Sequence, residues 1–226
     1  MSRGPARHGR PGPLARLLRT ITTKGTEMPE NPPWVVVGLG NPGDRYAGNR
    51  HNVGAMVVAE LAKRYASPLK AHKSRCAAAQ VRLGMPAGVP GPAAVIAVPT
   101  SYMNESGGPV KALLGFYGAG PDRLVVIHDE LDLEAGQVRL KADGGEGGHN
   151  GLRSISKSLG TREYARVRVG IGRPPGRMDA ADFVLRDFSA TERADLPFLV
   201  GDAADAVELL AQEGLLAAQQ RFHSPR

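Results

Sequence analysis

Three short apolar runs constrain this chain most: WVVVGL (34–39), AAVIAVP (93–99) and RLVVIHD (123–129). Each has the length of a strand rather than a helix and is bounded by turn formers, so each reads as a buried strand. Between them the apolar period changes. VGAMVVAELAKRY (53–65) repeats at helical spacing with Asn52 as its cap, and VKALLGFYG (110–118) has Pro109 at its start and Gly118 as its stop. AAQVRL (78–83) and GQVRLK (136–141) add shorter strands, and GMPAGVPGP (84–92) is rich in turn residues. Further on, HNGLRSISKSLG (149–160) is helical and YARVRVGIG (164–172) alternates as a strand does. Ser189-Ala190-Thr191-Glu192 has capping-box spacing and opens a helical C-terminal third. The pattern predicts one α/β domain over residues 31–226, without internal repeats.

The 226 residues suffice for one sizeable core, and no apolar segment approaches the roughly 20 residues that span a bilayer. A single cysteine, Cys76, excludes an internal disulfide framework and fits a reducing, cytoplasmic setting. The formal charge of +7 is unevenly spread. Residues 1–27 carry six basic side chains against one acid, a net +5, which leaves +2 for the body. Charge alone therefore says little about the body's ligand. Residues 1–30 are expected to form a disordered basic extension. Their scarcity of acids is that of a transit peptide, but the prolines and glycines interrupt any long amphipathic helix, and Met28 as the true start is the preferred account.

After the first strand, Gly38-Leu39-Gly40-Asn41-Pro42-Gly43 fits the spacing G-x-G-x-x-G of a dinucleotide loop. Three features oppose that reading. The helix starts about nine residues too late to hold a pyrophosphate, the acidic residue about 20 positions on is misplaced, and Pro42 removes a backbone N–H. The glycines are better explained as a tight turn presenting Asn41 beside a cleft.

Polar residues cluster at strand ends, where open α/β sheets place their ligand crevice. Asn41, His51 and Asn52 follow the first strand, Met103 and Asn104 another, and His128, Asp129, Glu130 and Asp132 a third; a glycine-rich loop delivers His149 and Asn150. Each residue alone can cap a helix or satisfy a turn. A metal site from His51, His128, Asp129, Asp132 and His149 lacks any ligand spacing tied to a mechanism. A hydrolase with a His base, an orienting Asp and Asn donors is the third reading. It has no G-x-S-x-G elbow and no activated cysteine, so water is its nucleophile.

The blocks VGLGNPGDRYAGNRHNVG, PTSYMNESG, HDELDL and GGHNGLRSI, followed by RVRVGIGRP, resemble the signature blocks of bacterial-type peptidyl-tRNA hydrolases, in that family's order. The resemblance implies a mixed twisted sheet flanked by helices, a monomer, no metal or cofactor, and cleavage of the ester joining a peptide to the 3′ ribose of tRNA. It implies that His51 activates water and that Asp129 orients it, with Asn41 also in the catalytic set. Asn104 and Asn150 belong to the polar pocket, Met103 and Tyr46 to its apolar wall, and His149 is a supporting polar contact. Lys141 and Arg168 match a clamp for the phosphates of the tRNA acceptor end. Arg139 with Lys141, and Arg166 with Arg168, lie two apart on predicted strands, so each pair shares a face, which an ordinary solvated sheet would also show.

Asparagine amides both donate to and accept from a peptide group, a bond that aminoacyl-tRNA lacks. The chain departs from the family at Glu146, an acid in the glycine-rich loop near a site expected to meet RNA, and in its basic N-terminal extension. The alternative is a non-catalytic RNA-binding relative of the same fold, for which a disrupted catalytic set is expected; Asn41, His51, Asp129 and Asn150 are all present.

Overall fold

The apolar runs form the middle of a seven-stranded sheet in the computed structural model, which describes residues 1, 31–84 and 88–223. The strands are β1 (Trp34–Gly38), β2 (Lys70–His72), β3 (Cys76–Arg82), β4 (Ala93–Pro99), β5 (Leu124–Glu130), β6 (Val138–Ala142) and β7 (Ala165–Gly170), in spatial order β2-β3-β4-β1-β5-β7-β6. The central β4, β1, β5 and β7 are parallel, and β2, β3 and β6 add antiparallel flanks. The helices are α1 (Val53–Arg64), α2 (Gly107–Tyr117), α3 (Asn150–Leu159), α4 (Ala180–Val184), α5 (Ala190–Glu213) and α6 (Leu215–His223).

Continuous apolar runs are required because both sheet faces are covered. Val36, Val125 and Ile127 face a core shared with α1, α5 and α6, whereas Val35, Val37 and Val126 face one built with α2 and α3. The outer edge of β6 is closed by side chains. Leu140 donates its N–H to His223 Nε2 (2.9 Å), and Gln219 Nε2 donates to the Leu140 carbonyl (3.1 Å), so α6 occupies the edge that another strand would pair with.

The helix after β1 begins at Val53, beyond two short 3₁₀ turns at Asp44–Tyr46 and Arg50–Asn52. The glycines of the motif therefore serve packing. A Cβ on Gly38 would lie 2.1 Å from the carbonyl oxygen of Gly54, and one on Gly54 would lie 2.2 Å from that of Ile127, so only this pair lets α1 start against the ends of β1 and β5. Gly43 has φ 99°, the left-handed side of the map that the turn needs.

Two elements have no apolar period to announce them. The three-residue KAH of β2 carries no apolar alternation, and α4 is a single turn capped by Asp179. Asn52 occupies the cap position expected of it, but its side chain bonds Asn41 instead of the helix amides, a correction to its reading as a cap. The expected extension over residues 1–30 falls, Met1 apart, outside the described residues.

Gly54→Ala is expected to destabilise the fold by about 2 kcal/mol or more, because the atoms met are backbone and cannot swing aside. Urea-unfolding midpoints of the two proteins check this.

Candidate active site

The parallel strands change direction of propagation at β1, whose neighbours β4 and β5 both follow it in the chain, and a crevice opens at that switch point beyond the carboxyl ends. The loop after β1, the turn after β4, the end of β5 and the start of α3 all meet there. A cleft of ≈ 660 Å³ is lined by Asn41, His51, Asn104, Asp129, His149 and Asn150, with Glu146 at its rim and Asp179, Val184 and Leu185 of the α4 region opposite.

Asp129 is the centre of the arrangement. It is 4% exposed and takes hydrogen bonds from two imidazoles: His51 Nδ1 at 2.9 and 3.1 Å from its two oxygens, and His149 Nε2 at 2.9 Å. Burial works to raise its pKa, but His149 and His51 outweigh burial and hold the carboxyl well below the usual carboxylate range.

The proton positions follow from the neighbours. His149 caps α3, and its Nδ1 accepts from the amides of Gly151 (3.1 Å) and Leu152 (3.4 Å), so Nε2 carries the hydrogen and donates to Asp129. Positive φ at Gly147 (56°) and Gly148 (78°) bends the loop so that this ring reaches the carboxylate. His51 donates from Nδ1, which leaves its Nε2 lone pair without a partner among the described residues.

Asn41 is held at three points. Its N–H donates to Asn52 Oδ1 (2.9 Å), its carbonyl accepts from Asn52 Nδ2 (2.9 Å), and its Oδ1 accepts from the Met103 amide (2.9 Å). With Oδ1 engaged, the free end of the Asn41 amide is its Nδ2 donor. Met103 is buried behind Asn41, and Tyr46 is half-buried on the first 3₁₀ turn beside Arg45; neither lines the cleft.

His51, Asp129 and His149 are also the group whose ligand atoms lie close enough, within 4.8 Å, to hold a cation among the described residues. The donor chemistry favours a hydrogen-bond chain, since His149 Nε2 must lose its proton to ligate while two amides occupy Nδ1. Of the other residues weighed as ligands, Asp132 pairs with Arg173, and His128 donates Nδ1–H to the Asp129 carbonyl (2.7 Å). The His128 Nε2 is buried without a partner among the described residues. Burial, reinforced by nearby His149, pushes the His128 pKa down to about 3.

The four basic residues of β6 and β7 do lie on one face, with Arg139 opposite Arg168 and Lys141 opposite Arg166. Arg166 is not solvated as an open sheet face would be. It is fully buried and donates to the carbonyls of Gly145 (2.7 Å) and Gly144 (2.8 Å). Arg168 Nε donates to Glu130 (2.9 Å), and Lys141 stays half-exposed, its pKa lowered by burial and by Arg168 and Arg166. Glu146 pairs with Arg162 (2.7 Å), so its charge at the rim is compensated.

Sequence reasoning missed the opposing wall. Asp179 before Ala-Ala-Asp-Phe was a readable helix cap, since its Oδ1 accepts from Ala181 (2.7 Å). The grip of Asn52 on Asn41 had no sequence signal.

A family model described as Peptidyl-tRNA hydrolase matches residues 35–226. The chain is 63% identical over 193 residues to the peptidyl-tRNA hydrolase of Kineococcus radiotolerans, covering 85% of this chain and 98% of that protein. It is 61% identical over 190 residues to that of Pseudarthrobacter chlorophenolicus, covering 84% and 95%. The crystal structure of peptidyl-tRNA hydrolase from Acinetobacter baumannii superposes with a TM-score of 0.77 at 33% identity, covering 86% of this chain and 96% of that one.

The lowered pKa of His128 has a sign that denaturation can read. Unfolded, this imidazole titrates near 6.5; folded, it stays neutral down to about 3. Between those values the unfolded state binds the extra proton, so stability falls as pH drops from about 6.5, by up to about 1.4 kcal/mol per pH unit from this group. His128→Asn, which keeps a donor for the Asp129 carbonyl, is expected to flatten the slope between pH 6 and 4.5 in urea titrations.

Proposed function

The chain belongs to the peptidyl-tRNA hydrolase family, and from that premise we propose that His51 is the base with which it hydrolyses the ester of peptidyl-tRNA. One observation carries the assignment: Asp129 takes the Nδ1–H of His51, which leaves Nε2 as a lone pair on a cleft lined with neutral amides. Water at Nε2 gives up a proton as its oxygen attacks the ester carbonyl. The imidazolium is stabilised by the buried carboxylate, then returns the proton to the leaving 3′ oxygen. The oxyanion formed between these steps needs a fixed donor, and the Nδ2 of Asn41, aimed by Met103 and Asn52, fits that need.

Asn104 and Asn150 lie on the same cleft and offer both donors and acceptors to the peptide adjoining the ester. Aminoacyl-tRNA would leave these groups unpaired and bring a charged amine, which supports rejection of charged tRNA. Met103 acts from behind by fixing Asn41, and Tyr46 borders the loop rather than the cleft. Lys141 and Arg168 hold the phosphates of the acceptor end, where an anion would also relieve the crowding of cations on β6 and β7. The protein acts as a cytoplasmic monomer with tRNA as its partner. Among the described residues no helix is long and apolar enough to cross a membrane. A non-catalytic RNA-binding role is disfavoured, because the His51–Asp129 pair is assembled and buried.

N-acetyl-aminoacyl-tRNA is expected to be cleaved much faster than the unacetylated form, with EDTA present and without loss of rate. His51→Ala is expected to lower kcat by about 10²–10⁴-fold. Release of acetylated amino acid at the wild-type rate by this variant would remove the base assignment.

Lys141→Ala is expected to raise KM with little change in kcat. It should also reduce the slope of log affinity against log salt by up to about 0.9, the loss of one phosphate contact. Binding titrations at several salt concentrations test this.

A further inference from the structure

Arg50 precedes His51 and is only 7% exposed, an unusual position for a guanidinium unless every donor is engaged. Its Nε and Nη2 fork onto the two oxygens of Glu192 (3.1 and 2.6 Å), and Nη1 donates to the carbonyls of Arg186 (3.2 Å) and Asp187 (2.9 Å). The cation lies over the rings of Phe183 (4.3 Å to the centroid) and Phe188 (5.5 Å).

Backbone and neighbouring side chains join the same two segments. Arg50 N–H donates to the Arg186 carbonyl (3.1 Å), Phe188 N–H to that of Gly48 (3.2 Å), and Asn49 Nδ2 to Asp187 Oδ1 (2.7 Å). All these partners lie between residues 183 and 192. That stretch begins in α4, whose Val184 and neighbouring Leu185 line the cleft, and ends at Glu192. Glu192 also accepts the N–H of Ser189 (2.7 Å) and so closes the capping box of α5.

We propose that Arg50 is the positioning residue of the reaction: its guanidinium fastens the three-residue turn bearing His51 to the α4 wall, so that base and wall form one rigid unit. The inference rests on the reading of His51 as base. Arg50 touches no reacting atom and acts through its neighbour. A single 3₁₀ turn has little rigidity of its own. Without the fork, the ring of His51 loses its fixed bearing on Asp129, whereas His149 keeps its own through the amides of α3.

That asymmetry supplies the test, made on the full chain below the melting temperature of the weakest variant. Arg50→Met, Arg50→Lys and Glu192→Gln are compared with wild type by kcat and KM on N-acetyl-aminoacyl-tRNA. Proton NMR follows the two imidazole N–H signals donated to Asp129, assigned with His51→Ala and His149→Asn. Arg50→Met is expected to lower kcat by on the order of 10²-fold, the scale of an ångström-level misplacement, with KM nearly unchanged. The His51 N–H signal should broaden while that of His149 persists. Arg50→Lys, which keeps the charge, and Glu192→Gln, which keeps the capping shape, should fall between. Unchanged kcat with both signals retained would overturn the proposal, as would loss of both signals together, the mark of a purely structural role. If wild type itself cleaves nothing, the assignment of His51 as base fails separately, and the two signals alone decide whether Arg50 orients that ring.

Discussion

A carboxylate buried, among the described residues, without a lysine or arginine paired to it is the constraint around which this structure is arranged. Asp129 is satisfied by N–H groups of two imidazoles that arrive from different parts of the chain, one on the turn after β1 and one at the start of α3. To deliver them, β1 and β5 must be neighbours, α1 must begin late, and the glycine-rich loop must bend back over the sheet. The contact of Gly38 with Gly54 and the positive φ angles at Gly147 and Gly148 are local consequences of that convergence.

Around this centre the polar groups are held in pairs. Asn52 grips both backbone groups of Asn41, the Met103 amide fixes its side chain, and Arg50 is enclosed by carbonyls, rings and Glu192. Each arrangement turns a flexible loop into a defined surface. What these contacts leave without a partner among the described residues is Nε2 of His51 and Nδ2 of Asn41, the two groups on which the proposed reaction depends. Glu192 shows how economical the arrangement is, since one carboxylate caps a 24-residue helix and anchors the turn that carries His51.

Much of this was legible in the chain. The apolar runs marked β1, β4 and β5 because burial on both faces demands them, and Pro109, Gly118 and the Ser189–Glu192 box marked helix ends because their backbone chemistry is local. The polar cluster at strand ends pointed to the cleft for the same topological reason. Tertiary partners were not legible. Asn52 has the sequence position of a cap, yet a bond to a residue eleven positions back takes its side chain. Arg166 alternates like a solvated residue, yet carbonyls of the glycine-rich loop after β6 enclose it. The capping box revealed Glu192 but not its second duty, because Arg50 lies 142 positions away.

The cap that His149 places on α3 also governs which atoms of the cluster are left to face the cleft. Its Nδ1 receives two amides, so that nitrogen is committed as an acceptor to the first turn of the helix. The spare lone pair of His128 is sealed from solvent and stays empty down to about pH 3. Three imidazoles thus crowd one carboxylate, yet among the described residues only His51 turns an unpartnered ring nitrogen toward the cleft, so whatever enters there meets the cluster through one atom.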